Sequence, residues 1–238
     1  MNSLDSLEGQ PLTATVEQFT DELVDQLEAE WLQATAPRVD IAGWQAGFDE
    51  AAAEYAEIRA RGGWVSGRAD FFGILGLGRA ELTHSAMLAW LLGPEGRHGF
   101  GRRFLDALIA RHIPDLDPAA FRVRDVACEV QRTETRADIV VWGDVATIVV
   151  EVKVDAGEGP RQCDRLYDRF ADNPDPRFIF LTPSGRAPLT ATGDAAKAYA
   201  SMSFADIRRV LEEVLADGTG GDGARAAEDY LQTLREEF

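Results

Sequence analysis

Runs of apolar and polar positions divide the chain into helical and extended stretches. Near-helical spacing of apolar residues predicts helices, and short β-branched runs bounded by turn residues predict strands. The predicted elements, in chain order, are helices over about 15–34 and 41–61, a glycine-containing linker over 62–80, helices over 81–92 and 102–112, strands over 121–132, 136–142 and 148–154, a helix over 161–170, a strand over 177–182, a loop over 186–197, a helix over 204–215, a flexible segment over 217–223 and a last helix to about 236. The central order of helix, three strands, helix and strand indicates an α/β fold with a mixed sheet covered by helices.

The two N-terminal helices form a unit of their own in this scheme. We predict that residues 1–70 make an acidic helical hairpin appended to a main domain over 71–238. Trp44 and Phe48 fall on one face of the second helix, which predicts that they belong to a hydrophobic core.

The strands over 136–142 and 148–154 carry the first chemical signal. Alternate residues of a strand share a face, so Glu151 and Lys153 point the same way from an otherwise apolar segment. A tight connection between the two strands places Asp138 alongside them. Buried charges cost several kcal/mol unless they pair or bind something, and Mg²⁺ prefers hard oxygen ligands. These residues therefore predict a Mg²⁺ site.

A structural ion pair at a sheet edge is the simpler alternative for Glu151 and Lys153. Composition favours a specific role, because Lys153 and Lys197 are the only lysines in the chain and arginine supplies the remaining basic side chains. A compact amine beside two carboxylates is suited to a task that a bulky guanidinium does not perform.

Composition is that of a soluble globular protein, and 238 residues suffice for a substantial core. No apolar run approaches the roughly 20 residues of a membrane span, and no signal-peptide pattern opens the chain. Cys128 and Cys163 have no metal-ligand spacing. We therefore expect a cytoplasmic protein without a membrane partner.

A net charge of −17 argues at first against a nucleic-acid partner. The acidity lies mainly at the two ends, because residues 1–60 carry thirteen acids against two arginines and residues 200–238 carry nine against four. The segment 97–169 has thirteen acidic and twelve basic residues and is nearly neutral. The acidic N-terminal region indicates either a solvated helical face or a surface that docks a protein partner or shields the site from DNA.

Five sequence elements in this order resemble the PD-(D/E)XK nuclease superfamily. Asp138 followed by Glu151-Val-Lys153 is similar to its signature, and the predicted core matches its restriction-endonuclease-like αβββαβ order. A bacterial branch of the superfamily has similar motifs, which here are Glu81-x-x-His-Ser-x-x-Leu-Ala-Trp-Leu-Leu92, His98-Gly-x-Gly101, Arg136-x-Asp-Ile139 and Leu181-Thr-Pro-x-Gly185. The likeness covers about residues 75–210.

The resemblance implies roles for individual residues. Asp138 and Glu151 would be metal ligands together with the main-chain carbonyl of Val152, and Lys153 would orient or deprotonate the attacking water. A lysine beside a divalent cation is expected to have a lowered pKa. Glu81 would assist a metal ion directly or through water. Gln162 matches a glutamine near the site that opens the helix after the lysine strand.

One position departs from the family pattern, because Leu166 stands where relatives usually have tyrosine and Tyr167 follows it. Four further residues are predicted to contact nucleic acid, with a structural alternative for each pair. For His84 and Ser85 the alternative is capping of a helix start. For Arg161 and Arg165 the alternative is local salt bridges.

The resulting functional prediction is a Mg²⁺-dependent DNA endonuclease, with Mn²⁺ able to replace Mg²⁺, in bacterial defence against phage. The sequence does not distinguish DNA from RNA, and a homodimer is compatible with paired cleavage. One alternative is a catalytically silent binding or regulatory subunit with the nuclease fold. Another is a structural protein whose acidic hairpin mediates assembly.

Overall fold

The computed structural model describes residues 21–35, 40–63, 67–218 and 220–238. The chain divides into two compact units, Met1–Val65 and Ser66–Phe238. The first unit contains helix α1 (Asp21–Thr35) and helix α2 (Ile41–Ala60), and the predicted helical residues before Asp21 lie outside the described part of the chain. The second unit contains the sheet and the remaining helices.

The apolar stripe of α2 is not a core. Trp44 and Phe48 are 66% and 67% exposed, and no described residue of α1 or α2 is buried. The prediction of core packing for this stripe is therefore wrong. Amphipathic spacing identifies the apolar side of a helix, but it does not show whether another element covers that side. That α1 and α2 pair as a hairpin stays a prediction.

A five-stranded mixed sheet forms the centre of the second unit, which confirms the predicted fold class. Its strands are adjacent in chain order; the first two pairings are antiparallel and the last two are parallel. They are β1 (Val123–Arg132), β2 (Thr135–Gly143), β3 (Thr147–Val152), β4 (Pro176–Thr182) and β5 (Tyr199–Ser203). Every residue of β3 is buried, because helices cover both faces of the sheet at this central strand.

Two hydrophobic clusters occupy the two faces of the sheet. Four helices pack against the larger cluster: α4 (Glu81–Leu92), α5 (Arg103–His112), α8 (Phe204–Ala216) and α9 (Ala224–Glu237). Helix α6 (Gln162–Phe170) covers the opposite face through Cys163, Leu166 and Phe170. Among the described helices, none is long and apolar enough to cross a membrane.

Three short elements were not predicted. Helix α3 (Phe71–Ile74) lies in the predicted linker. Helix α7 (Gly193–Ala198) lies at the end of the predicted loop and extends one residue beyond it, and β5 follows α7 directly. Strand β5 contains Ser201 and Ser203 and has only five residues, so its local pattern is weak. Parallel pairing with β4 is what makes this segment a strand.

Candidate active site

Asp138, Glu151 and Lys153 come together where β2 and β3 meet. Ile139 pairs with Val150, so one residue farther along the antiparallel ladder Asp138 lies opposite Glu151. All three ionisable side chains are buried, and Glu151 is only 1% exposed. The strand periodicity therefore placed these groups correctly on neighbouring strands.

Hydrogen bonds and ion pairs connect these residues. Lys153 Nζ lies 2.8 Å from Glu151 Oε1 and 3.7 Å from Glu81 Oε2. The main-chain N–H of Val152 donates to Asp138 Oδ2 at 2.7 Å, which fixes the Asp138 carboxylate against β3. The same peptide segment is the one whose carbonyl is the predicted third ligand of a metal ion.

Gln162, at the start of α6, belongs to this network. Its side-chain Nε2 donates to Glu151 Oε1, and its Oε1 accepts a hydrogen bond from Gly159 N at 2.9 Å. The amide thus holds the Glu151 carboxylate and the loop before α6 together. The structure places the predicted glutamine beside the carboxylate that the sequence assigned to the metal.

Burial dominates the electrostatics of the two carboxylates. Desolvation, with repulsion from Asp138, raises the pKa of Glu151 to about 8. Desolvation also raises the pKa of Asp138 to about 6, although the Val152 N–H favours the charged form. Both carboxylates are costly to ionise in this environment, and a nearby cation would reduce that cost.

Lys153 responds differently to its surroundings. Burial lowers its pKa, but the carboxylates of Glu151, Asp138 and Glu81 outweigh burial, and the net pKa is raised. Lys153 is therefore a charged ammonium group here, able to donate hydrogen bonds. Without a metal ion the neighbouring carboxylates raise the pKa of Lys153, whereas a bound divalent cation is expected to lower it.

The carboxylate oxygens fit a hard divalent cation. In the described part of the chain, Glu151 Oε2 is buried and has no hydrogen-bond partner. An orphaned carboxylate oxygen beside a second buried carboxylate matches the ligand chemistry of Mg²⁺. Asp138, Glu151 and the Val152 carbonyl would hold such an ion.

Glu81 contacts both Lys153 and the main chain that follows it. Among the described residues, no group of three or more His, Cys, Asp or Glu side chains converges as a metal site. Glu81 Oε1 instead accepts hydrogen bonds from Val154 N at 2.8 Å and Ala156 N at 3.3 Å. It therefore anchors the chain directly after Lys153, while its Oε2 faces Lys153 Nζ at the edge of the site. That Glu81 assists a metal ion directly or through water stays a prediction.

A recess of about 470 Å³ opens over this network. It lies between the start of α4, the end of the β1–β2 hairpin and the first turns of α6. Its lining is mostly polar and consists of Glu81, Leu82, Gln131, Glu134, Thr135, Arg136, Asp138, Lys153, Gln162 and Arg165. Asp138 and Lys153 thus face a space open to a substrate.

Several residues that line the recess were not predicted to be site residues. Gln131 lies on β1, Glu134 in the hairpin turn and Arg136 on β2. The sequence contains a signal that Arg136 belongs to the site, because it stands two residues before Asp138 on the same strand and so shares its face. The others depend on how the hairpin curves over the sheet, which no local pattern reveals.

The structure does not place His84 and Ser85 at a nucleic-acid surface. His84 is 0% exposed, with one ring nitrogen 3.0 Å from Tyr230 Oη and the other 2.9 Å from the carbonyl oxygen of Gly78. Ser85 is buried and donates to the carbonyl of Glu81 at 3.0 Å. Their predicted contacts with nucleic acid are corrected to structural roles within the second unit.

Arg161, directly before α6, and Arg165, within it, differ in their surroundings. Arg165 lines the recess, donates through Nη1 to the carbonyl of Pro160, and has a buried Nε without a partner among the described residues. Arg161 is a residue with φ of 50° before α6, and its largely exposed side chain lies 3.6 Å from Asp164. Of the predicted pair, only Arg165 faces the recess.

The shifted tyrosine of α6 is half-buried and packs against the core. Tyr167 packs on the smaller cluster, with its ring centroid 5.5 Å from that of Phe178, and Leu166 is fully buried. Neither side chain lines the recess. The helix therefore contributes Gln162 and Arg165 to the recess and no tyrosine.

Comparison with known proteins gives one match. The model of the PD-(D/E)XK nuclease superfamily matches residues 69–238, which include the whole sheet and every residue of the recess. No curated protein and no solved structure shows significant similarity to the chain. Since the family model covers more than half of the chain and the mixed sheet agrees with its fold, the protein belongs to the PD-(D/E)XK nuclease superfamily.

Proposed function

We propose that this protein is a Mg²⁺-dependent endonuclease that hydrolyses phosphodiester bonds in DNA. The observation that carries the proposal is the buried Glu151 carboxylate, which has an unpartnered oxygen beside Asp138 and Lys153. A charged group in such a position is stabilised by a bound cation, because burial alone disfavours its ionised form. Mn²⁺ is expected to replace Mg²⁺, since both accept oxygen ligands.

The metal would be held by Asp138, Glu151 and the carbonyl of Val152. When bound, it supplies Lewis acidity and favours ionisation of a coordinated water. Lys153 donates hydrogen bonds into the recess, where it orients a water or neutralises a phosphoryl oxygen. Gln162 holds Glu151 in place, and Glu81 holds the chain segment that follows Lys153.

Three basic side chains in the recess, balanced by the acidic Glu81, Glu134 and Asp138, support a phosphodiester as substrate. Lys153, Arg136 and Arg165 line it and can contact phosphate oxygens, although the protein as a whole is acidic. Binding of a divalent cation would add further positive charge. DNA is the proposed substrate, and the role in defence against foreign DNA in the cytoplasm follows from the family resemblance.

A nicking assay tests this function. Supercoiled plasmid, single-stranded DNA and RNA are incubated with the protein in Mg²⁺, in Mn²⁺ or in EDTA. Nicking of DNA by the wild type, lost in EDTA and in both Glu151→Ala and Lys153→Ala, is the expected result. Cleavage of RNA alone would overturn the choice of DNA. Equal activity in all three proteins would show that a contaminant is responsible.

A catalytically silent binding subunit is the second candidate. The observation that favours it is the tyrosine of α6, which packs against the smaller cluster and does not line the recess, so that the helix-borne part of the recess differs from the family pattern. Folded wild-type protein that binds DNA but never cleaves it, with either metal and with neighbouring gene products added, would support this function. A protein partner of the acidic N-terminal unit and a homodimer are compatible with both candidates.

A further inference from the structure

Glu129 interrupts the regular backbone of β1. Its φ of 55° lies in the left-handed region, which is strained for a non-glycine residue inside a strand. Cys128 and Val130 on either side keep their partners on β2, so Glu129 lies across from Asp138. The packing also changes here, because Cys128 contacts the larger cluster and Val130 the smaller one. The irregular residue is thus adjacent to the candidate active site.

The side chain of Glu129 joins the hairpin to the recess. Its Oε2 lies 2.8 Å from Nη1 of Arg136, while its Oε1 is buried and has no hydrogen-bond partner in the described part of the chain. Arg136 lines the recess, and about half of its side chain is exposed. One edge of the Arg136 guanidinium is therefore fixed by Glu129, and the side chain remains accessible from the recess.

We propose that Glu129 is a positioning residue that holds the Arg136 guanidinium over the recess, where Arg136 binds a phosphate of the DNA substrate beside Asp138. This inference rests on the proposed function. A guanidinium is planar and carries several N–H donors, so one edge can bond a carboxylate while another contacts phosphate oxygens. A glycine adopts the same φ without strain, so a side chain at this position carries a cost, and the contact that Glu129 gains in return is the ion pair with Arg136.

A simple hairpin ion pair would produce the same salt bridge without any effect on substrate. A DNA-binding measurement distinguishes a simple ion pair from a positioning role of Glu129. The affinity of a short fluorescein-labelled DNA duplex is measured by anisotropy in the Glu151→Gln background, which is expected not to cleave, at several salt concentrations. Arg136→Gln, Glu129→Gln and the double variant complete a mutant cycle.

We expect Arg136→Gln to weaken binding about tenfold and to lower the slope of log Kd against log salt by about 0.9, as for one lost phosphate contact. Glu129→Gln should weaken binding about fivefold, and the double variant should bind no more weakly than Arg136→Gln alone. In cleavage assays of the otherwise wild-type chain, both single variants should raise KM with little change in kcat.

Glycine variants control for backbone strain. Asp175, with φ of 32° before β4, lies outside the recess. Glu129→Gly and Asp175→Gly should each raise or preserve the melting temperature, because glycine tolerates positive φ. Only Glu129→Gly should weaken DNA binding. A structural role alone would change melting temperature in Glu129→Gln and leave affinity unaltered.

Additive effects of Glu129→Gln and Arg136→Gln, or equal or tighter DNA binding by Glu129→Gln, would overturn the inference. Absence of DNA binding by the Glu151→Gln parent protein would overturn it as well. Failure of the proposed function would give a different result. A protein that binds DNA through Arg136 but leaves plasmid intact in every metal would support the role of Glu129 and refute the nuclease activity. The binding assay therefore tests the role of Glu129, and the nicking assay tests the nuclease activity.

Discussion

Replacing Glu151 by glutamine is expected to stabilise the metal-free protein at neutral pH while removing its response to Mg²⁺. Burial raises the pKa of Glu151 from its ordinary 4.5 to about 8. An acid with a raised folded-state pKa contributes stability that is present below pH 4.5 and is lost as pH rises through about 8. Glutamine has a similar size and no proton to lose, so it avoids this loss.

The magnitude follows from the interval over which the folded protein retains its proton. Each pH unit between the two pKa values corresponds to about 1.4 kcal/mol, so Glu151 lowers the unfolding free energy by about 3 kcal/mol at neutral pH. The glutamine loses a charged hydrogen bond to Lys153, which costs about 1–2 kcal/mol. The net gain expected for Glu151→Gln is about 1–2 kcal/mol at neutral pH, and it vanishes or reverses near pH 5.

Urea unfolding of both proteins in EDTA, at about pH 5 and about pH 8, measures this difference. Adding Mg²⁺ at about one hundred times its Kd should stabilise the wild type by about 2.7 kcal/mol and the variant by far less. A variant that is less stable than wild type at both pH values in EDTA would refute the account of Glu151 as a costly buried charge. Equal stabilisation of both proteins by Mg²⁺ would refute its role as a ligand.

The pKa of Glu158 is shifted in the opposite direction from that of Glu151. Burial raises its pKa, but hydrogen bonds from Leu189, Arg186 and Thr190 outweigh burial and lower the pKa from 4.5 to about 2. Glu158→Gln should therefore reduce the unfolding free energy by about 3 kcal/mol at neutral pH, and the reduction should shrink as the pH falls from 4.5 to about 2. Urea unfolding against pH measures both effects. Lys153→Arg should fold normally and lose at least about a hundredfold in kcat, because a guanidinium is larger and less able to occupy the place of the ammonium; plasmid nicking with a circular-dichroism control measures it, and near-wild-type nicking would contradict it. His84→Leu should cost about 2 kcal/mol of stability by leaving the Tyr230 hydroxyl without its partner, yet leave DNA affinity unchanged; a loss of affinity in folded variant protein would restore the predicted nucleic-acid contact.

Local patterns predicted the parts of the fold whose residues lie close in sequence. The strand alternation placed Glu151 and Lys153 on one face, and the short hairpin connection placed Asp138 on the adjoining strand. The family motifs gave the correct superfamily. The strand β5 was missed because five residues with two serines carry a weak signal without their pairing partner.

Side chains at helix starts were harder to place. The polar cluster of Glu81, His84 and Ser85 looked like one group, yet the helical turn directs them to different surroundings. Glu81 reaches the chain after β3, whereas His84 enters the core among aromatic rings. Similarly, Trp44 and Phe48 formed a clear apolar stripe that remains exposed. Burial depends on which distant elements pack nearby, and spacing along one helix does not contain that information.

By itself, then, the sequence determined the order of elements, the face shared by the acid and the lysine, and the likeness to nucleases. Tertiary structure alone decided that Gln162 holds Glu151, that Glu81 anchors the chain after Lys153, and that strained Glu129 comes opposite Asp138. The physical reason is distance along the chain. Backbone periodicity is set by neighbours, whereas hydrogen bonds, desolvation and the resulting pKa values arise between residues that only the folded sheet and helices bring into contact.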